Sequence, residues 1–171
     1  MLRPARDTVV PADADAGVVA FADTGGDDPT FQVPLATQAQ VGATYGLAFD
    51  GRRGHLYAAA YHKRGAAFGP GGPGQVYRII LALGTVERWA VVDAGPDRHT
   101  ADGDDAGAAA WVGRTGLGDI ALDDAASVLY VANLHDRRIH RLSVPDGTPL
   151  GSLPHGAAAE IWAAGARPFA V

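Results

Sequence analysis

The sequence predicts an all-β protein, and more narrowly a partial β-propeller, on three observations. Residues 44–62 recur as residues 117–135. A strand-forming run follows each copy, at 75–80 and at 138–143. The first two strands of each copy are apolar on both faces, which suits a sheet covered on both sides. Sequence repeats of this kind are typical of propellers, in which each blade is a four-stranded sheet.

Two complete four-stranded antiparallel blades are predicted, at residues 44–93 and 116–153. In both units an aspartate, Asp50 or Asp123, follows the apolar first strand and opens a tight turn of small and polar residues. Large apolar side chains on the first two strands are expected to be buried. These are Leu47, Phe49, Leu56, Ile120, Leu122 and Leu129.

The rest of residues 1–171, which we interpret as a single partial propeller domain, is assigned by its relation to the two blades. Residues 1–43 are expected to form an irregular N-terminal blade segment with short strands. Residues 94–115 form an inserted loop. Residues 154–171 are a connection followed by the start of another blade, because the last five residues repeat the opening of each unit.

Propellers bury both faces of every sheet by closing a ring of about four to eight blades. Two blades and two partial ones fall short of that number. We therefore expect the chain to be a fragment of a longer propeller, or to complete its ring by association. Open blade edges and uncovered apolar faces would then favour self-association.

Composition excludes several classes of function. The net charge is −5 and the basic residues are scattered, which argues against nucleic acid as a partner. No apolar run is long enough for a membrane span, and no signal peptide is visible. The chain has no cysteine, which excludes disulfides, thiol catalysis and cysteine-based zinc sites. We predict no cofactor, and a divalent metal stays possible.

Two long insertions are expected to lie at one end of the blades. In an up-and-down sheet, the loop between strands two and three emerges at the same end as the connection to the next blade. Residues 63–74 and 94–115 are insertions of these two kinds. Function in repeat scaffolds concentrates on such loops, although Gly/Pro-rich insertions can equally be tolerated surface variation. The candidate binding residues near this end or on the first strand are His62, Lys63, Arg64, Phe68, Asp119, His135, Asp136 and Arg137.

Several of these candidates have structural explanations as well. His62 and His135 occupy equivalent places in the repeat and could line a pocket or ligate a metal, but a hydrogen-bonded structural role is the commoner explanation. Phe68 is expected to fold back on the blade rather than to contact a partner. Asp119 interrupts an apolar strand and would either point toward a central channel or cap a neighbouring amide.

Acidic loops are the remaining motif. The second insertion carries several carboxylates and a histidine, and residues 23–28 are similarly acidic. Neither has the spacing of an EF-hand or its closing glutamate, so solvated loops are the expected explanation. The acidic and histidine residues of the second insertion are Asp97, His99, Asp102, Asp104 and Asp105.

Four segments carry a resemblance to a known group of proteins: residues 41–50, residues 56–74, residues 112–120 and residues 129–134. Together they resemble the propeller-like region of large bacterial cell-surface proteins, which often also carry SdrD B-like repeats. Propeller blades of the NHL and YVTN kinds are similar. The resemblance implies an extracellular or cell-surface, adhesion-type propeller without catalytic residues.

Two functions remain open at this stage. The first is a non-catalytic binding or adhesion module of a bacterial surface or secreted protein that recognises a protein or glycan through its long-loop face. The alternative is a metal-dependent hydrolase similar to propeller lactonases, for which Asp119 and Asn133 would be the visible metal ligands. We favour the binding module.

Overall fold

The computed structural model describes residues 15–21, 32–101, 104–125, 127–156 and 160–171. Within these residues ten strands carry the fold, and the three helical segments are short. The elements are β1 (Ala16–Phe21), β2 (Gln32–Thr37), α1 (Gln38–Val41), β3 (Thr44–Asp50), β4 (His55–Ala60), β5 (Gln75–Ile80), β6 (Thr85–Val91), α2 (Ala106–Ala109), β7 (Leu117–Asp123), β8 (Val128–Asn133), β9 (Arg138–Ser143), β10 (Pro149–Pro154) and a 3-10 helix (Ile161–Gly165). None of the described helices is long and apolar enough to cross a membrane.

The strands form three antiparallel sheets, so the predicted all-β class is confirmed. One sheet has two strands, β1 and β2, and the other two are four-stranded, in the orders β3-β4-β5-β6 and β7-β8-β9-β10. Each four-stranded sheet is an antiparallel up-and-down arrangement of consecutive strands. The described sheets do not close into a ring, and the propeller therefore remains a proposal.

The sequence repeat is also a repeat of strand register. In the first sheet the pairing shifts between Thr44 and Leu47, and in the second it shifts between Leu117 and Ile120, which are the equivalent positions. A bulge at the same place bends and twists both first strands in the same way. The two four-stranded sheets are thus copies of one structural unit.

Two apolar clusters separate the three sheets. One lies between the four-stranded sheets and includes Tyr57, Ile120 and Leu129. The other lies between the two-stranded sheet and the first four-stranded sheet and includes Val41 and Tyr77. The first four-stranded sheet is consequently covered on both faces, which agrees with the apolar character of its strands.

The first strands of the two four-stranded sheets come very close together. A Cβ atom added at Gly46 would lie 2.7 Å from the carbonyl oxygen of Gly118 on β7. Only a residue without a side chain allows this approach between backbones. The close contact sets the position of the second sheet relative to the first.

The predicted burial of first-strand and second-strand residues is confirmed for Ile120 and Leu129 and is wrong for Phe49. Ile120 and Leu129 are 3% and 0% exposed, whereas Phe49 is 58% exposed. Within the described residues the N-terminal unit contributes two strands, and Phe49, at the turn end of β3, is exposed. The three other predicted core residues, Leu47, Leu56 and Leu122, are half-buried.

The two ends of the chain also differ from the expectation. Within the described residues, the predicted irregular N-terminal blade segment is a two-stranded sheet. The first strand of a further blade is not formed, since residues 166–171 carry no strand. The main-chain amide of Asp119 donates a hydrogen bond of 2.9 Å to the carbonyl of Phe169, and the Arg167 side chain donates one of 2.8 Å to the carbonyl of Leu134.

Candidate functional site

The two insertions meet at one end of the sheets, and we call this end, formed by residues 63–74 and 94–115, the loop face. The Arg64 guanidinium donates to the Asp104 carbonyl at 2.9 Å and pairs with its carboxylate. At the opposite end, Arg52 donates to the Asp124 carbonyl at 3.2 Å and joins the two short turns. The prediction that both insertions lie on one side, away from these turns, is confirmed.

Asp105 fixes the second insertion against the first. Its carboxylate accepts hydrogen bonds of 2.8 Å from the amides of Gly65 and Thr100. Its backbone is left-handed, with a φ of 46°, a conformation that aspartate tolerates better than most residues. Burial by itself would raise the pKa of Asp105, but the hydrogen bonds from Gly65 and Thr100 outweigh it, so the pKa lies below its ordinary value. The carboxylate therefore stays charged and holds the two loops together.

A pair of stacked imidazoles lies beneath these loops. His62 follows β4 and is completely buried, and its ring stacks on that of His99 with centroids 4.4 Å apart and planes 5° from parallel. The Phe68 ring meets both imidazoles edge-on, with centroid distances of 5.2 Å. Neither ring nitrogen of His62 has a hydrogen-bond partner among the described residues. The expected hydrogen-bonded role of His62 is therefore wrong.

His99, in contrast, is held at both nitrogens. Its Nδ1 lies 2.7 Å from Asp97 Oδ1, and its Nε2 lies 3.0 Å from the Lys63 carbonyl oxygen and 3.7 Å from Asp105 Oδ2. Burial by itself would lower the pKa of His99, but the Lys63 carbonyl and the Asp97 carboxylate raise it above its ordinary value. The pKa of His62 is lowered, chiefly by burial and then by the neighbouring His99. The pair thus combines a neutral ring with one that favours the proton.

The second histidine of the repeat has different surroundings. His135 is exposed, and a Cβ atom at Gly95 of the second insertion would lie 2.6 Å from its Nδ1. Its main-chain amide donates to Asn133 Oδ1 at 2.9 Å. The two histidines differ because the second insertion covers His62 and only borders His135.

The other predicted site residues differ in their surroundings. Phe68 is half-buried and packs against the second apolar cluster, as expected for a ring that folds back. Asp136 pairs with His140 at 2.6 Å, and Arg137 has a φ of 65° in the turn after β8. Asp119 is half-buried near the start of β7, and no hydrogen bond of its carboxylate is found within the described part of the chain.

A groove opens beside the histidine pair, between the loop face and the N-terminal sheet. Its volume is about 360 Å³. Four of its ten lining residues are glycine or alanine, and two tyrosines, one threonine, one glutamine and one lysine supply the polar groups. The lining residues are Gly17, Gln38, Gly42, Ala43, Thr44, Tyr45, Tyr61, Lys63, Ala66 and Val112.

The tyrosines of the groove form part of an aromatic group with the end of the chain. Tyr45 lies 5.4 Å from Tyr61 and 4.8 Å from Phe169, measured between ring centroids. Burial raises the pKa of the Tyr61 phenol, with a further contribution from Tyr45. Thr44 is 7% exposed, and its hydroxyl has no hydrogen-bond partner among the described residues. The groove therefore offers a partly exposed aromatic surface at Tyr45, whereas the Thr44 hydroxyl is itself buried.

Sequence reasoning identified one groove residue, Lys63, and missed the tyrosines and Thr44. The sequence did contain a signal for the tyrosines, because antiparallel pairing of β3 and β4 places the start of β3 beside the end of β4. Tyr45 and Tyr61 lie at those two places. The sequence predicts a solvated loop for Asp97 and His99, whereas the structure pairs the two side chains and leaves only Asp97 exposed; Asp102 lies outside the described residues.

Comparison with known proteins gives partial matches to three colossins of Dictyostelium discoideum, and no family model matches. The chain is 35% identical to colossin-A over 72 residues, which are 42% of this chain and 1% of colossin-A. It is 26% identical to colossin-D over 123 residues, 66% of this chain and 13% of colossin-D. It is 30% identical to colossin-C over 76 residues, 44% of this chain and 7% of colossin-C. The chain thus matches a small part of each relative.

These matches correct the resemblance stated from the sequence. The relatives are proteins of a eukaryote, so the assignment to bacterial SdrD B-like repeat-containing surface proteins, and to NHL or YVTN blades, is wrong. The motifs that suggested it are short and rich in glycine, proline and small apolar residues. Such segments recur wherever antiparallel strands are joined by tight turns and packed on both faces.

Proposed function

We propose that this chain is a non-catalytic binding segment of a β-propeller, and that its groove holds a peptide segment of a partner protein. The propeller part of the proposal is supported by two consecutive four-stranded sheets with the same register shift. It is supported further by the contact of their first strands at Gly46, because blades around a common axis converge at their innermost strands.

The groove is the observation that carries the binding function. Its volume, about 360 Å³, lies in the range of small-ligand sites, about 300–1,000 Å³. Most of its wall is apolar, and Tyr45, 39% exposed, presents a ring that an apolar side chain could contact. Tyrosine is enriched in protein interfaces because its ring buries a large area and its hydroxyl still forms hydrogen bonds.

The charge of the groove favours a particular peptide. Lys63 is the one cationic residue of the lining, and no carboxylate belongs to it. Arg64 and His99, by contrast, are already paired with Asp104 and Asp97. A segment with an apolar side chain next to an acidic group would therefore be complementary to the tyrosines and to Lys63. An extracellular or cell-surface location is part of the proposal, and the low-identity colossin matches are compatible with it.

The hydrolase alternative has little support from the residues it requires. The Asn133 side-chain nitrogen donates to the Asp93 carbonyl at 2.7 Å, and its oxygen accepts from the amides of His135 and Asp136. These bonds commit the carboxamide to the backbone at the end of β8. Asp119 would thus remain without its expected partner ligand.

Binding of a peptide library by the purified chain tests the proposal. Peptides with an apolar residue next to Asp or Glu should be enriched, and Lys63→Glu should weaken the best one by about tenfold or more, since a cation is replaced by a like charge facing an acidic peptide. Arg88→Glu is the matched control, because it makes the same charge change at an exposed position on β6, outside the groove. Equal loss in both variants, or binding of glycans but not of peptides on a parallel array, would refute the proposal.

A further inference from the structure

The strongest unexplained feature of the loop face is the buried ring of His62. An imidazole carries one donor and one acceptor when neutral, and both are normally satisfied when the ring is buried. His62 is 0% exposed, and neither of its nitrogens has a partner among the described residues. A ligand that accepts a nitrogen lone pair would account for this arrangement.

Two further ligand groups lie next to His62. One nitrogen or oxygen atom from each of His62, Asp97 and His99 can be chosen so that the three atoms lie within 4.8 Å of one another. Zinc bonds of about 2.0–2.2 Å in tetrahedral geometry place neighbouring ligand atoms about 3.3–3.6 Å apart. Metal binding would therefore require His99 Nδ1 and Asp97 Oδ1, now 2.7 Å apart, to separate slightly, and the His62 ring, now parallel to that of His99, to turn toward them.

The hydrogen bonds of His99 are those of a metal ligand. Its Nε2 lies 3.0 Å from the Lys63 carbonyl oxygen, while its Nδ1 faces Asp97 Oδ1 at 2.7 Å. Histidines that bind metals usually donate the other ring N–H to a carbonyl or carboxylate, which fixes the ring orientation. Asp105 Oδ2, 3.7 Å from Nε2, adds negative charge on the same side.

We propose that His62, Asp97 and the Nδ1 atom of His99 bind a divalent transition-metal ion of the zinc class. The ion takes the place of the proton between His99 Nδ1 and Asp97 Oδ1, and that proton passes to solvent. Two imidazoles and one carboxylate suit zinc, copper or nickel, whereas calcium and magnesium require more oxygen ligands. His62 follows β4, whereas Asp97 and His99 both belong to the second insertion, so the ion joins that insertion to the end of β4.

The site borders the groove, because Lys63 follows His62 directly and its carbonyl orients His99. Metal binding would therefore hold the wall that carries Lys63 in place. This role is structural and does not depend on the identity of the groove's ligand.

Cobalt and zinc titrations test the site in the purified chain after treatment with chelator. Cobalt(II) should produce the intense visible absorption of a four-coordinate ion with a stoichiometry of one, zinc should displace it, and zinc should raise the unfolding temperature. Asp97→Ala should weaken zinc binding by about tenfold or more, and His62→Leu by about a hundredfold or more, because even the loss of a residue that only orients a ligand costs about 10–100-fold.

The matched control is His135→Ala, which removes the equivalent but exposed histidine of the second unit and should leave zinc affinity unchanged. If His62→Leu does not fold, Asp97→Ala decides the question, because that side chain is 51% exposed and its loss does not disturb the core. Weak, six-coordinate cobalt spectra, or zinc affinity that is equal in wild type and Asp97→Ala, would overturn the proposal.

Discussion

Phe68→Ala tests whether the first insertion is an integral part of the fold. The Phe68 ring packs against the apolar cluster between the two-stranded sheet and the first four-stranded sheet. Its centroid lies 5.2 Å from the ring centroids of both His62 and His99. Truncation of a fully buried phenylalanine costs about 3–5 kcal/mol. Phe68 is half-buried, so we expect a loss of about 2 kcal/mol in the free energy of unfolding.

That loss corresponds to a fall of about 4–8 °C in the unfolding temperature, since 1 kcal/mol shifts a domain of this size by about 2–4 °C. The assay is urea and thermal denaturation followed by circular dichroism. Leu83→Ala is the control, because Leu83 lies in a turn and is 69% exposed, and it should change stability by less than about 0.5 kcal/mol. An equally small change for Phe68→Ala would mean that the insertion is a surface loop without a packing role.

Two further predictions concern the body of the sheets. Asp50 has a buried side chain that accepts hydrogen bonds from the amides of Arg52 and Arg53 and from the Arg53 guanidinium. Burial alone would raise its pKa, but the bonds from Arg53 and Arg52 outweigh this and lower it, so the stability it provides is present above about pH 4 and is lost as the pH falls further. When urea midpoints are measured between pH 2 and 7, those of Asp50→Asn should therefore fall less steeply at acidic pH than those of the wild type. The same fall in both proteins would contradict the prediction. Gly46→Ala should destabilise the chain by about 1–3 kcal/mol, because the added Cβ atom would meet the β7 backbone. The control is Gly165→Ala, which should not destabilise the chain, because an added Cβ atom there meets only open space. Equal effects of the two substitutions in denaturation would count against the close contact.

The repeat made much of the fold predictable, because a pattern that recurs at fixed positions specifies strands, their order and their register together. The location of both insertions at one end followed from the geometry of an up-and-down sheet alone. The exposure of Phe49 could not be predicted, since it depends on what packs against the turn end of β3, which the repeat pattern does not specify.

The candidate site was predictable only in part. His62 was identified by its place in the repeat, but its partner His99 lies in another insertion, and the stacking of the rings depends on how the two loops pack. Loop packing of this kind is determined by individual hydrogen bonds, such as those accepted by Asp105, which leave no periodic signal. The tyrosines of the groove were missed although strand pairing places them side by side.

The central claim is that the groove beside the loop face is where the partner binds, and mapping of amide chemical shifts tests it most directly. The ¹⁵N-labelled chain would be titrated with the best peptide from the library. We predict the largest shifts at residues 42–45 and at Tyr61 and Lys63, which line the groove. Shifts concentrated at Arg52 and Asp124, on the turns at the opposite end, would contradict the account.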